Sequence, residues 1–142
     1  MNNLVKQYVI CSVLCLFTAL TGCDNGDDSG SLSQYDAQEL LTSGRWYLES
    51  IENHEELNSC RKQTYYEFLN EGTLIVKAYL NAGNECALIT NKIASYTLLD
   101  NNSIEVTGAL ELMITVMSIS EQELTFQIEG AQAQTFDKTE GY

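Results

Sequence analysis

Residues 64–80 read TYYEFLNEGTLIVKAYL and form the clearest structural pattern in the chain. Apolar and polar side chains alternate in residues 64–69 and again in residues 73–80, which is the period of a strand with one buried face. Asn70, Glu71 and Gly72 stand between the two runs and supply residues that tolerate the positive φ of a tight turn. The stretch therefore predicts two antiparallel strands joined by a short connection.

The same alternation continues on both sides of this hairpin. Further strands are predicted at residues 45–51, 93–99, 103–107, 112–119, 123–129 and 134–138. The links at residues 100–102 and 120–122 are short, and short links between consecutive strands imply antiparallel neighbours. One short helix is predicted before the strands, at residues 35–43, with Gly44 as its stop signal.

Eight short strands joined in chain order suit one particular architecture. We predict an all-β fold, a small eight-stranded antiparallel up-and-down barrel with a short N-terminal helix, because closure removes both edges of the sheet. A two-sheet sandwich of the same strands is the alternative. It requires longer crossovers, for which residues 52–63 and 81–92 have sufficient length.

The first 23 residues carry an export signal. A short polar start with one cation, Lys6, precedes an uncharged, mostly apolar run at residues 8–20. This run is shorter than the roughly 20 residues of a transmembrane helix and is typical of a secretory signal. Leu20-Thr21-Gly22-Cys23 then resembles the lipobox of bacterial lipoproteins. The resemblance implies cleavage before Cys23 and its acylation, so that lipid anchors the protein in the bacterial cell envelope. An ordinary signal peptide with an incidental cysteine is the alternative.

The segment after Cys23 bears on location and domain organisation. Asp24 resembles the inner-membrane retention signal of enterobacterial lipoproteins, whereas in other bacteria an acidic stretch near the cysteine accompanies surface export. The membrane and leaflet therefore stay open. We predict a signal peptide at residues 1–22, a flexible Gly-, Ser- and Asp-rich tether at residues 23–33, and one folded domain at residues 34–142.

Two of the five cysteines belong to the predicted domain. The signal peptide and lipobox account for Cys11, Cys15 and Cys23. Cys60 and Cys86 remain, and an even pair in an exported domain predicts a disulfide bond. The alternative, a metal site, lacks ligands, because His54 is the only histidine and no Cys-x-x-Cys motif occurs.

Composition and motifs argue against several classes of function. The net charge of -13 disfavours a nucleic-acid partner and any attachment to anionic lipid through basic residues. The chain has neither a phosphate-binding glycine loop nor a cofactor fingerprint. His54 lies in a charged segment, residues 52–56, where a solvated histidine is expected rather than a catalytic base. We therefore predict neither enzymatic activity nor a cofactor.

A family resemblance appears once the strands and cysteines are in place. Gly44-Arg45-Trp46 after a short helix resembles the opening of lipocalins, and the whole pattern is more similar to small lipocalin-like domains of exported bacterial lipoproteins. The matching residues are Leu41, Gly44, Trp46, Leu48, Cys60, Phe68, Gly72 and Cys86. In lipocalins, an Arg near the end of the chain also stacks on the Trp that corresponds to Trp46. No Arg follows Arg61 here, so either Lys138 fulfils this function or the closure is missing.

The resemblance implies a barrel with one open end that holds a small apolar molecule. Its walls are expected from Trp46, Leu48, Tyr66, Phe68, Leu74, Val76, Ile114, Val116, Leu124 and Phe126. The acidic surface favours a neutral or cationic ligand over a free fatty acid. The alternative is a barrel filled by its own side chains.

A filled barrel would act through its outer surface, as a protein-interaction or inhibitor module. Tyr47, Tyr65 and Tyr79 fall on the outward phase of their strands, where exposed tyrosines suit protein binding. A cationic, envelope-directed protein is the partner that the acidic charge favours.

Overall fold

The computed structural model describes residues 34–100 and 102–141. The elements are α1 (Gln34–Leu41), β1 (Arg45–Ile51), β2 (Tyr65–Leu69), β3 (Thr73–Ala82), β4 (Glu85–Leu98), β5 (Ser103–Thr107), β6 (Leu112–Ile119), β7 (Glu123–Ile128) and β8 (Ala133–Asp137). One turn of 3-10 helix, Arg61–Gln63, lies between β1 and β2. The predicted signal peptide, the tether and Cys23 lie outside the described residues. In the described ranges no helix has the length and hydropathy needed to cross a membrane.

The eight strands form a closed antiparallel barrel in chain order. Each strand pairs with the next, and β8 returns to pair with β1, where Phe136 lies opposite Leu48. On the other side of β1, Trp46 lies opposite Tyr66, which in turn lies opposite Val76. Residues directly opposite each other point to the same face, so the inward side chains run continuously around the wall. The barrel predicted from the sequence is confirmed, and the sandwich is not formed.

The core is the inside of this barrel. Eight large side chains there have no exposed surface, namely Trp46, Phe68, Leu74, Ile104, Ile114, Leu124, Phe126 and Phe136. They come from seven of the eight strands, and β4 adds Ala94 and Tyr96, each 6% exposed. The inward phase predicted from the period of two is therefore correct along most of the wall.

The hairpin of β3 and β4 differs from the sequence prediction. Residues 81–92 were expected to form a loop, but β4 begins at Glu85, after a turn at Gly83 with φ of 68°. Ile89 has no counterpart in β3, and this bulge interrupts the alternation that would have revealed the strand. The hairpin also continues past the rest of the wall. Leu80, which by alternation shares the phase of the buried Leu74 and Val76, is for that reason 41% exposed.

The two ends of the barrel are built differently. The end where β1 begins is covered by α1, whose Leu41 is 1% exposed, and the Nε1–H of Trp46 donates a 2.9 Å hydrogen bond to the Leu41 carbonyl. Since the strands run alternately up and down, the β1–β2, β3–β4, β5–β6 and β7–β8 connections lie at the opposite end. From the first of these connections, Leu57 reaches back into the core and is 5% exposed.

Candidate binding site in the barrel

Aromatic side chains occupy the middle of the barrel. The rings of Phe126 and Phe136 stack with centroids 4.5 Å apart. Tyr66 meets both edge-on, at 5.2 Å from Phe126 and 5.4 Å from Phe136. Because β2 is not a neighbour of β7, these contacts cross the interior. A second edge-on pair, Phe68 and Tyr96, has centroids 5.2 Å apart. The rings therefore leave little of the deeper interior for a ligand.

The ten residues predicted as ligand walls all belong to this one core. Each is buried, with exposed fractions between 0% and 9%, and all ten pack into a single cluster. The structure thus brings together Trp46, Leu48, Tyr66, Phe68, Leu74, Val76, Ile114, Val116, Leu124 and Phe126. Contact of these side chains with a ligand stays a prediction.

The hydroxyl of Tyr66 is an exception in this apolar interior. It forms no hydrogen bond within the described residues, in contrast to the Tyr96 hydroxyl, which donates to the Leu69 carbonyl at 2.9 Å. No enclosed side-chain oxygen or nitrogen in the described ranges lacks a partner, so the Tyr66 hydroxyl must reach solvent although its ring is buried. Burial raises the pKa of Tyr66. The group is therefore a neutral hydroxyl, free to donate or accept a hydrogen bond.

Apolar side chains surround the end of the barrel opposite α1. Ile51, Leu110, Leu112 and Ile128 are partly buried and pack against the core cluster. Ile51 ends β1, Leu112 begins β6 and Ile128 ends β7, so these three stand at the rim. These rim residues are not among the walls predicted from the sequence. For Leu112 and Ile128 the signal was available, because both continue the inward phase of their strands.

At the α1 end, Lys138 takes the position expected for the late arginine of lipocalins. Its Nζ lies 3.2 Å from the centroid of the Trp46 ring and donates a 2.9 Å hydrogen bond to Ser43 Oγ. Burial lowers the pKa of Lys138 to about 8. The indole face favours the charged amine and opposes this shift. The contact of Lys138 with the Trp46 ring, one of the two alternatives for this end of the barrel, is thus confirmed.

An open groove of about 900 Å³ lies outside the barrel at the same end. Its lining includes Asp36, Glu39, Arg45, Tyr47, Glu121 and Lys138. None of the ten predicted wall residues takes part in it. The groove is therefore separate from the barrel interior.

One of the three outer tyrosines is buried, although its strand phase predicts an exposed side chain. Tyr65 is only 6% exposed. The Tyr47 ring covers it at 5.6 Å, and the Arg45 guanidinium lies 4.7 Å from its centroid. Arg45 is held in place by Glu67, with Nε and Oε2 3.1 Å apart. Neighbouring strands bring these long side chains over Tyr65, which strand phase alone does not predict. Tyr47 and Tyr79 are half-buried.

The disulfide between Cys60 and Cys86 is confirmed, with Cα atoms 5.4 Å apart. It ties the β1–β2 connection to the β3–β4 hairpin. His54 is exposed, and its Nε2 lies 3.3 Å from Arg61 Nη1. Within residues 34–100 and 102–141 no three His, Cys, Asp or Glu side chains are grouped so as to hold a metal ion.

The fold and its interior define a class, the closed eight-stranded antiparallel barrels with an apolar core. The family model of the lipocalin-like domain matches residues 42–126, which is more than half of the chain. The protein therefore belongs to the lipocalin-like domain family. No curated protein compared with the sequence matches it. A solved structure, "Bovine Odorant Binding Protein deswapped triple mutant", is similar with 17% identity and a TM-score of 0.40, over 70% of this chain and 74% of that one.

Proposed function

We propose that this protein is a lipoprotein of the bacterial cell envelope, anchored through acylated Cys23, whose barrel binds a small and mostly apolar molecule. The observation that carries the ligand proposal is the Tyr66 hydroxyl, which reaches solvent from an otherwise apolar interior and has no hydrogen-bond partner among the described residues. Family membership supports it, because lipocalin-like folds commonly bind small hydrophobic ligands. The chain itself supplies binding and no catalytic step.

The ligand enters at the end opposite α1. Its apolar body packs against the rim side chains Leu112 and Ile128 and against Leu48 and Val76 in the wall below. One polar atom of the ligand hydrogen-bonds to Tyr66. Twenty acidic residues against seven basic ones favour a neutral or cationic ligand. This ligand is therefore a compact apolar compound with one hydroxyl, carbonyl or amine group.

Native mass spectrometry tests whether a ligand exists. The full chain, extracted from its host membrane in mild detergent, is expected to carry a reproducible extra mass that disappears on unfolding. The released compound is then titrated back into protein that has been stripped and refolded. A bare mass, together with no binding of the neutral apolar probe N-phenylnaphthylamine, would remove the ligand proposal.

Substitutions at the rim and at Tyr66 locate the site. Tyr66→Phe removes one hydrogen bond and is expected to weaken binding about five-fold, since such a bond contributes roughly 1 kcal/mol. Ile128→Arg places a charge at the rim and is expected to abolish binding. Gln127→Arg, on the exposed outer face of the same strand, is the matched control and should bind as the wild type does. If Ile128→Arg and Gln127→Arg changed the binding affinity equally, the ligand would not bind at this rim.

The anchor is tested by Cys23→Ser. The unchanged protein is expected to incorporate radiolabelled palmitate and to partition into the membrane fraction. The variant should do neither, while retaining the same circular dichroism in its folded domain. Palmitate labelling that persists in Cys23→Ser would contradict the proposed anchor.

A second candidate function, protein binding by the outer surface, is favoured by the filled interior. Eight large inward side chains have no exposed surface, as in a barrel packed for stability alone. The acidic charge then favours a cationic, envelope-directed partner. Tyr47→Ala is expected to lower recovery of such a partner without altering the fold, and unchanged recovery would argue against this face.

A further inference from the structure

One side of β4 is an unpaired sheet edge over residues 85–94, as far as the described part of the chain goes. β4 has 14 residues and β5 has five, and only residues 95–98 of β4 pair with β5. Residues 85–94 pair with β3 on one side. On the other side, no residue in the described ranges forms a backbone hydrogen bond with them. The barrel wall is closed where residues 95–98 pair with β5, and the unpaired edge extends beyond that point, towards the β3–β4 turn.

The directions of the backbone groups along this edge follow from one hydrogen bond. The N–H of Tyr96 donates to the Gly72 carbonyl at 2.8 Å, towards β3. In an antiparallel ladder the N–H and C=O groups of successive residues point alternately to the two sides. Those of Ala94 and Lys92 therefore also point towards β3. Those of Asn91 and Ile93 point towards the free side, where an added strand would meet them.

Three large apolar side chains along the edge are exposed. Leu88 is 46% exposed, Ile89 57% and Ile93 63%. Natural sheets protect their edges with charges, prolines or short strands, because a long apolar edge recruits other chains. Here Lys92 is the only basic residue of the edge and the chain contains no proline. Such an edge offers both backbone groups and apolar contacts to an extended segment.

Charge decides what kind of segment fits. A second copy of a chain with net charge -13 would be repelled at close range. Glu85 at the start of β4 and Glu105 on β5, opposite Thr97, are exposed acidic residues of these two strands. Lys92 and Lys77, which lies opposite Asn91, are the basic ones near the edge. A basic segment is attracted by the net negative charge of the whole chain instead. Its alternate apolar side chains would contact Ile93 and its neighbours.

We propose that the β4 edge binds an extended segment of another protein, alternating apolar and basic residues, which adds a strand to the sheet. This inference rests on the second proposed function, protein binding by the outer surface, and is independent of the ligand in the barrel. Main-chain hydrogen bonds to Asn91 and Ile93 supply the affinity, and the apolar and acidic side chains select the sequence.

A synthetic decapeptide of alternating lysine and valine is the probe. Binding to the full chain in mild detergent is measured by fluorescence anisotropy, at moderate salt. A peptide with the same residues in two blocks is the control for simple charge attraction. The alternating peptide is expected to bind about ten-fold more tightly. It should also slow amide hydrogen exchange at Asn91 and Ile93.

Variants of the edge separate strand addition from other binding. Asn91→Pro removes an N–H that points away from β3, so the β3 ladder is kept while the edge is blocked. It is expected to weaken peptide binding about ten-fold, whereas Asn91→Ser, which keeps the N–H, should stay within roughly two-fold. Ile93→Lys keeps every backbone group and is expected to weaken binding through charge repulsion.

Two outcomes would overturn the proposal. Equal binding of the peptide to wild type and Asn91→Pro, with both folded, would mean adsorption elsewhere on the acidic surface. Concentration-dependent dimers in sedimentation equilibrium, lost in Asn91→Pro, would make a second copy the occupant. Neither outcome changes the result of the ligand test. The Tyr47→Ala test concerns another part of the outer surface, so its result is independent of these two outcomes.

Discussion

Trp46 is held by a main-chain carbonyl close to it in sequence and by a side chain from the far end of the chain. Its Nε1–H bonds to the Leu41 carbonyl, and Lys138 lies on its ring face, 3.2 Å from the centroid. Lys138 also donates to Ser43, so one amine links the last strand to the end of α1. The closure of this end therefore depends on a group that titrates, whereas the arginine of the lipocalin pattern does not.

The first prediction concerns the charge of Lys138. Its pKa in the folded protein is lowered from 10.5 to about 8. Trp46 is the single tryptophan, so its fluorescence reports the loss of the cation from the ring. We expect emission to change with a midpoint near pH 8, and we expect no such change in Lys138→Arg. Lys92→Gln, which alters an exposed lysine, is the control and should titrate as wild type does.

The lowered pKa of Lys138 also determines whether its contribution to the free energy of unfolding rises or falls with pH. The folded protein releases the Lys138 proton at lower pH than the unfolded chain, which holds it until about 10.5. Between these values the unfolded state binds more protons, so the contribution of Lys138 to the free energy of unfolding rises with pH. Urea unfolding of wild type and Lys138→Arg across this window measures the difference. A difference that falls with pH would contradict the assignment.

At the scale of elements, the β3–β4 hairpin and the β1–β2 connection form one unit. The Cys60–Cys86 disulfide closes a loop with a sequence separation of 26 residues. Next to it, the Thr64 hydroxyl accepts a 3.1 Å hydrogen bond from the N–H of Tyr79. The part of the hairpin that extends past the rest of the wall is thus attached through Tyr79 of β3 and Cys86 of β4.

The second prediction is the effect of removing this disulfide. A loop of this length is expected to stabilise the fold by about 3 kcal/mol through the entropy of the unfolded chain. The double variant Cys60→Ala and Cys86→Ala should lose roughly that amount in urea unfolding, with the barrel retained by circular dichroism. Wild type under a reducing agent should match the variant. A loss below about 0.5 kcal/mol would mean that Thr64 and the strand pairing alone hold the hairpin.

Strand prediction succeeded where one face of an element is buried. β1, β5 and β6 have the expected bounds, and most other ends differ by one or two residues. β4 was missed in its first half because none of residues 85–90 is buried and Ile89 shifts the phase. Alternation in sequence records burial rather than strand conformation. A strand that leaves the core therefore leaves no pattern.

At the scale of the whole molecule, acidic residues outnumber basic residues by twenty to seven. Only two ion pairs occur in the described ranges, Arg45 with Glu67 and Lys62 with Glu49. Repulsion between carboxylates is therefore expected to outweigh attraction. Salt screens charges over a Debye length of about 10 Å at 0.1 M.

The third prediction follows from this imbalance. Raising sodium chloride from about 0.02 M to about 0.5 M is expected to increase the free energy of unfolding, on the order of 1 kcal/mol. Thermal unfolding followed by circular dichroism measures it, and potassium chloride at equal ionic strength is the control. A decrease in stability with either salt would show that the two ion pairs matter more than the repulsion.

The amino-acid sequence alone determined the barrel, the inward phase of most strands and the Cys60–Cys86 pair. Each of these follows from local periodicity or from residue counts. Tertiary structure decided what periodicity cannot record, since these features depend on which strand ends where. Tertiary structure left part of the β4 edge unpaired beside the short β5. It also covered Tyr65 with Arg45 and Tyr47. It also packed aromatic rings from β7 and β8 against the Tyr66 ring across the barrel.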